Sequence, residues 1–221
     1  MNFKVVEKFV SVNGEGRLSG QLAIFMRFAG CNLECSYCDT KWANEKSVEY
    51  TLMNEKEIYE YIKSTGVKNI TLTGGEPLLQ DGLIELLNIL SKDEELLVEI
   101  ETNGSVSLKE FIEIQNPPRF VMDYKLPSSD MEPKMLIDNF KYLTKKDTVK
   151  FVSGTIEDLE RAKYIMDQYD LTNKTNVYIS PIFGKIQMAK IVEFMQKFNL
   201  NGVTLQVQLH KIIWDPEERG V

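Results

Sequence analysis

The sequence predicts an α/β fold built on a mostly parallel sheet, and three observations carry that expectation. Short runs rich in β-branched and aromatic residues alternate with segments of helical periodicity along the middle of the chain. Strand–helix alternation of this kind implies right-handed crossovers, which make neighbouring strands parallel. Most of the strand-like runs are followed by Gly-, Pro- or polar-rich segments, and in parallel α/β folds ligands sit beyond the carboxyl ends of the strands.

In chain order the strands are expected at residues 23–28, 69–73, 97–101, 119–123, 148–152, 177–180 and 203–208. Helical patterns occupy 54–64, 81–91, 108–114, 133–143, 155–169 and 185–198. Asn54 with Glu57, and Thr155 with Asp158, have the spacing of capped helix starts. In the last helix Ile186, Ala189, Ile191, Val192, Met195 and Phe198 fall near one face. These patterns alone leave open an open sheet or a barrel, complete or partial. The rim beyond the strands gathers Gly30 and the cysteines, Thr73-Gly74-Gly75-Glu76-Pro77, Thr102-Asn103-Gly104, Tyr124-Lys125-Leu126-Pro127, Pro181-Ile182-Phe183-Gly184 and Leu209-His210-Lys211.

A chain of 221 residues, with no internal repeat, low-complexity tract or linker, predicts one domain, 1–221, at roughly 100–200 residues per domain. With 43% hydrophobic and 27% charged residues it can bury a sizeable core, which excludes a disordered chain. The formal charge of −7 argues against broad binding to nucleic acid. No signal-type apolar segment follows the start and no run reaches about 18 apolar residues, so a soluble, cytoplasmic protein without membrane partners is expected.

The three cysteines, Cys31, Cys35 and Cys38, lie together in one loop after a strand, and an odd count of clustered thiols makes no disulfide framework. Three readings compete. A zinc site lacks a fourth cysteine and would need the lone histidine, His210, from the far end of the chain. A redox pair would use Cys35 and Cys38 and leave Cys31 unexplained. An iron–sulfur cluster held by three thiolates would leave one iron open to a non-protein ligand.

The segment Gly30-Cys31-Asn32-Leu33-Glu34-Cys35-Ser36-Tyr37-Cys38-Asp39-Thr40 resembles the C-x3-C-x2-C loop of the radical S-adenosylmethionine (SAM) superfamily, and Thr73-Gly74-Gly75-Glu76-Pro77 resembles its "GGE" element. The resemblance implies a [4Fe–4S] cluster on Cys31, Cys35 and Cys38, with SAM chelated at the open iron, Tyr37 near the adenine and the Gly74-Gly75-Glu76 backbone at the SAM amino group. Residues Ser11–Arg17, then Gly20, Phe25 and Arg27, and the close Gln206–Trp214, are further similar to the 7-carboxy-7-deazaguanine synthase family.

That family implies an abbreviated (β/α)6-type partial barrel, a homodimer, and a lyase reaction on the route to queuosine and other 7-deazapurines. In it 6-carboxy-5,6,7,8-tetrahydropterin becomes 7-carboxy-7-deazaguanine with loss of ammonia. Reduced by an external donor such as flavodoxin or ferredoxin, the cluster cleaves SAM; the 5′-deoxyadenosyl radical takes hydrogen from C6 of the substrate, and SAM is regenerated. The chemistry is carried by cluster and SAM, with no side chain as acid or base. By the same resemblance Thr40 binds Mg²⁺. Cys38, Asp39, Thr102, Asp123, Lys125 and Ser128 join Tyr37, Gly74, Gly75 and Glu76 around SAM. The substrate is met by the backbone of Val12, Asn13 and Gly14, by the Thr73 side chain, and by Glu15, Arg27 and the terminal Val221. Arg27 suits a substrate carboxylate because its planar fork matches one; its bland alternative is a salt bridge, for instance to Glu15. Two rival functions remain at this stage: an activase of glycyl-radical enzymes, needing a large protein partner, and a non-enzymatic zinc- or redox-binding module.

Overall fold

The computed structural model describes residues Met1–Val221. Nine strands form one open sheet: β1 (Asn2–Val12), β2 (Leu22–Phe28), β3 (Thr51–Asn54), β4 (Asn69–Gly74), β5 (Leu97–Thr102), β6 (Arg119–Asp123), β7 (Thr148–Ser153), β8 (Asn176–Pro181) and β9 (Val203–Leu205). Their spatial order is β3-β1-β2-β4-β5-β6-β7-β8-β9. From β2 to β9 every neighbour is parallel, and these seven strands are the seven expected from sequence. Strands β1 and β3 add an antiparallel extension at the β2 edge.

The helices are α1 (Glu55–Thr65), α2 (Leu83–Leu90), α3 (Lys109–Ile112), α4 (Ile156–Tyr169), α5 (Leu171–Lys174), α6 (Met188–Lys197) and α7 (His210–Ile213). Both expected capping boxes form: Asn54 with Glu57 opens α1, and Thr155 with Asp158 opens α4. The expected helix at 133–143 is instead two short 3-10 turns. Buried Asn139 is the cause, because its amide takes Leu108 N–H and gives to the Gly104 and Val106 carbonyls, holding the segment against the loop after β5.

The parallel strands alternate in character because the longer helices cover only one face. Ile24, Met26, Ile70, Leu72, Ile100, Phe120, Val149, Phe151 and Ile179 pack with Ile58, Leu86, Leu159, Ile165 and Ile191 in the apolar core. The opposite, concave face carries Arg27, Thr73, Glu101, Asp123 and Lys150. A bulge in β1 adapts the antiparallel strand to this division. Val5 pairs with Phe28 but Glu7 pairs with Arg27, so the extra residue moves the odd-numbered series from the core face, with Phe3 and Val5, to the concave face, with Glu7 and Phe9. Phe9 then stacks on Phe25 with ring centroids 5.1 Å apart.

The two ends of the parallel array are not joined by strand pairing. Gly16 N–H donates to Gln206 Oε1 (2.8 Å), Gln206 Nε2 donates to the Gly16 carbonyl (3.0 Å), and Leu209 N–H donates to the Gly14 carbonyl (3.1 Å). The loop after β1 is thereby tied to the segment after β9. This use of Gln206 ends β9 at Leu205, short of the expected 208.

Candidate active site

The cysteine loop lies over the carboxyl ends of the strands and is held by neighbours on the same rim. Ser36 N–H donates to the Ser129 carbonyl (3.1 Å), Ser36 Oγ to the Ser128 carbonyl (2.5 Å), and Asn32 Nδ2 to Ser105 Oγ (2.8 Å). The Gly74-Gly75-Glu76 turn is stitched beneath it: Gly75 N–H donates to the Phe28 carbonyl (3.1 Å) and Glu76 N–H to the Gly30 carbonyl (2.8 Å). Gly74 needs its φ of +145°, and a Cβ on Gly75 would collide with the Gly30 carbonyl and Asn44 Oδ1.

Above the concave face opens a cavity of about 490 Å³. Cys31, Cys35, Tyr37, Cys38, Asp39, Thr40, Gly74, Gly75, Thr102, Asp123 and Lys125 line it, as do Val12, Gly14, Glu15, Arg27, Thr73 and Val221. Three expected residues do not reach the wall. The Asn13 backbone is taken up by its own loop, its N–H donating to the Gln21 carbonyl (2.8 Å) and its carbonyl accepting from Gly20 N–H (2.8 Å), while its side chain accepts the Thr71 hydroxyl at 3.0 Å. Ser128 is used through its backbone, its N–H donating to Asp158 at 3.0 Å. Glu76 turns its carboxylate into the interior, where it accepts from Leu78 N–H (3.0 Å), Thr102 Oγ1 (2.9 Å) and Asn103 N–H (2.7 Å). Burial pushes the Glu76 carboxyl up to about 7 against the pull of those hydrogen bonds.

The cavity wall is electrostatically dense. Arg27 Nε donates to Glu7 Oε2 (2.9 Å), so its ion pair is with Glu7 and not with Glu15. Glu15 instead pairs with Lys150, whose Nζ is 2.6 Å away, and Lys125 Nζ lies 2.9 Å from Asp123 Oδ2. Burial works against the Lys150 charge, yet Glu15, Asp123 and Glu101 outweigh it and hold the ammonium above its ordinary range. Thr73 Oγ1 donates to Glu101 Oε2 (2.9 Å). Burial lowers the His210 value, favouring the neutral ring, and its Nδ1 lies where a Cβ on Gly14 would stand 2.5 Å away.

Sequence reasoning missed Lys150 and Glu7 as site residues. The available signal was a charge inside otherwise apolar strand runs, which a strand facing helices on both sides does not tolerate.

The Radical SAM superfamily model matches residues 26–122. Over all 221 residues the chain is 65% identical to the 7-carboxy-7-deazaguanine synthase of Clostridium acetobutylicum, covering 100% of both chains. The chain belongs to the 7-carboxy-7-deazaguanine synthase family. The synthase of Methanospirillum hungatei is 38% identical over 214 residues, 96% of this chain and 86% of that one. Among solved structures, QueE from Escherichia coli aligns with a TM-score of 0.76 at 22% identity, covering 94% of each chain, and so shares the fold. TYW1 with a bound lysine–pyruvate adduct aligns at 0.54 and 18% identity, covering 81% of this chain and 74% of that one. The family is one of radical SAM enzymes, which employ a [4Fe–4S] cluster and SAM and require a reductant.

The residues present fit those groups. All three thiols are free and line the cavity, while no three His, Cys, Asp or Glu side chains converge on a single metal ion. Thiolates that each bind a separate iron of a cubane need no common point, unlike the ligands of one zinc. Burial raises the Cys31 and Cys35 thiols, so metal binding there must displace their protons. Two cavity carboxylates each carry a buried oxygen without a partner, Glu15 Oε1 and Asp123 Oδ1. Such acceptors call for a donor-rich ligand.

Proposed function

We propose that Cys31, Cys35 and Cys38 hold the cluster, and that SAM and a planar carboxylated pterin share the cavity beside it. The chain then performs the reaction of its family, conversion of 6-carboxy-5,6,7,8-tetrahydropterin to 7-carboxy-7-deazaguanine with loss of ammonia. The observation that carries this reading is that the three thiols open on the same cavity as Arg27 and Glu15. When bound, cluster and SAM supply the radical that takes hydrogen from the substrate.

The chain's own residues bind, orient and exclude water. Tyr37, Asp39, Thr102, Asp123, Lys125 and the Gly74-Gly75 backbone take SAM; Asp123 offers its unpartnered oxygen to a hydroxyl or amine. Glu76 acts from below, holding Thr102 and Asn103 in place. Arg27 spends only Nε on Glu7, which leaves its Nη pair for the substrate carboxylate. Glu15, paired with Lys150, presents Oε1 to an N–H edge of the pterin. Thr73 offers a hydroxyl oriented by Glu101, and Val12 and Gly14 meet the ring by backbone. The tail 216–221, ending at Val221, borders the cavity and limits water.

Thr40 provides a hard oxygen for Mg²⁺, with the substrate carboxylate as another ligand. We further assign the protein to the cytoplasm, as a homodimer of one-domain chains spanning residues 1–221, reduced by flavodoxin or ferredoxin. The continuous apolar core supports the single domain, and no helix is long and apolar enough to cross a membrane.

The test is anaerobic reconstitution with iron and sulfide, reduction, and addition of SAM, Mg²⁺ and 6-carboxytetrahydropterin, followed by mass spectrometry. A brown protein releasing ammonia and the carboxydeazaguanine mass is expected, and Cys35→Ala is expected to lose both colour and product. Slow SAM cleavage without pterin product overturns the substrate; a colourless zinc protein overturns the enzyme.

A further inference from the structure

Asn103 stands at the end of β5 with only 7% of its surface exposed, and the orientation of its amide is determined on every side. Oδ1 accepts from Ser105 N–H (2.9 Å) and Ser105 Oγ (2.6 Å), which assigns the other terminus as the donor. That Nδ2 lies 3.5 Å from Cys31 Sγ and 3.1 Å from Asn32 Oδ1. The backbone N–H is anchored on Glu76 Oε2 at 2.7 Å, inside the protein. Asn103 therefore has no free direction in which to swing its amide away from the sulfur.

The three cysteines are not treated alike. Cys31 Sγ receives two N–H groups, Asn103 Nδ2 and Leu33 N–H at 3.4 Å. Cys38 Sγ has only the Thr40 hydroxyl at 3.6 Å, and either atom can donate there. Cys35 has no hydrogen bond to its sulfur, and of the surrounding charges Lys125 acts on it most strongly.

We propose that Asn103 raises the reduction potential of the cluster through a hydrogen bond from its side-chain amide to the Cys31 thiolate. The proposal rests on Cys31 being a cluster ligand. An N–H donor stabilises negative charge on a ligating sulfur, and that charge grows when the cluster accepts one electron from its external donor. The bond is therefore stronger in the reduced state, which makes the electron easier to accept. Asn103 touches a ligand of the cluster and is a positioning residue rather than a catalytic one. Glu76, through its hold on the Asn103 backbone, gives the "GGE" turn a second task at the cysteine loop.

The experiment is a potentiometric titration followed by electron paramagnetic resonance on the reconstituted full chain, without SAM or pterin, comparing wild type with Asn103→Asp and Asn103→Leu. Aspartate keeps the size and the Ser105 bonds but faces the sulfur with an oxygen; leucine removes the donor at similar volume. Each variant is expected to need a lower potential for half reduction, with the reduced-to-oxidised ratio at fixed potential falling about tenfold, ~59 mV for one electron. A residue that merely supports the loop would lower the iron content and leave the midpoint of the remaining cluster in place, and that result overturns the proposal.

A measurement on the wild type needs no variant. With the asparagine side-chain amides labelled by ¹⁵N, electron–nuclear double resonance of the reduced cluster is expected to detect a coupled nitrogen, and absence of any coupling overturns the hydrogen bond. Iron and sulfide analysis of wild type and Cys31→Ala tests the ligand assignment separately. If Cys31→Ala keeps a full cluster of unchanged midpoint, the reading and the proposal fall together.

Discussion

Lys150 Nζ stands 2.6 Å from Glu15 Oε2 and 3.8 Å from Asp123 Oδ2, joining the loop after β1 to the end of β6 and the middle of β7 across the concave face. Removing the cation strands Glu15 in a site where one of its oxygens already has no partner. Breaking a buried ion pair from one side costs about 3–5 kcal/mol. Lys150→Met is expected to lower the melting temperature and to raise the KM for the pterin about tenfold, equivalent to ~1.4 kcal/mol. The dissociation constant for SAM is expected to change little, because Asp123 keeps Lys125 at 2.9 Å. Steady-state kinetics beside SAM binding separates the two; equal losses of both would refute the assignment of Lys150 to the substrate side.

Arg27 reaches the cavity already paired with Glu7, 2.9 Å from its Nε, and this pair fixes the direction of the guanidinium. Arg27→Ala is expected to retain the cluster and SAM binding while pterin turnover falls by at least about a hundredfold, the ~3 kcal/mol of a charge-assisted contact. Arg27→Lys is expected to recover little, since an ammonium cannot reproduce the planar fork. Normal turnover by Arg27→Ala would remove the substrate assignment.

At Gly75 the approach of two turns leaves no room for a side chain, because a Cβ would overlap the Gly30 carbonyl and Asn44 Oδ1. Backbone on one side has to move to admit it. Gly75→Ala is expected to cost about 1–3 kcal/mol, the usual range for overpacking, and to reduce iron incorporation because Gly30 begins the cysteine loop. Melting of the metal-free protein and iron content after reconstitution check both; full stability with full iron would show that the turns are not in contact.

Glu99 lies on the concave face beneath the cavity, 3% exposed, and burial with the nearby Glu101 carries its carboxyl up to about 7, opposed by Arg119, Lys150 and Arg17. A carboxyl whose folded value is raised binds a proton in the native state that the unfolded chain has already released. Its stabilising contribution is therefore complete below about 4.5 and is lost as pH rises to about 7. Glu99→Gln removes this loss, so it is expected to exceed the wild type in stability at pH 8 by about 3 kcal/mol and to match it near pH 4.5. Urea unfolding at the two pH values measures the difference, and parallel profiles for the two proteins would contradict the burial argument.

The parallel strands, the capped starts of α1 and α4 and the cysteine loop were all legible because each is written locally. Alternation, the Asn54–Glu57 and Thr155–Asp158 spacings and the thiol spacing each lie within a few residues. Strand β1 escaped because its bulge after Val5 breaks the alternation that marks a strand, and β3 because four residues carry too little pattern. The 133–143 segment read as helix for the opposite reason. Its periodicity is present, but Asn139 binds a loop about thirty residues away, and a local pattern cannot report that competition.

By itself the sequence determined the seven-strand parallel array, the clustering of thiols on its rim and, through its motifs, the family to which the chain belongs. Only the tertiary structure decided how the charged residues pair. It gave Arg27 to Glu7 and Glu15 to Lys150, sent Glu76 inward to hold Asn103, and tied Gly16 to Gln206 across the ends of the parallel array. The physical reason is range. Backbone propensity and side-chain periodicity act between near neighbours in the chain, whereas an ion pair or a buried hydrogen bond depends on distances that exist only after the sheet has brought distant segments together.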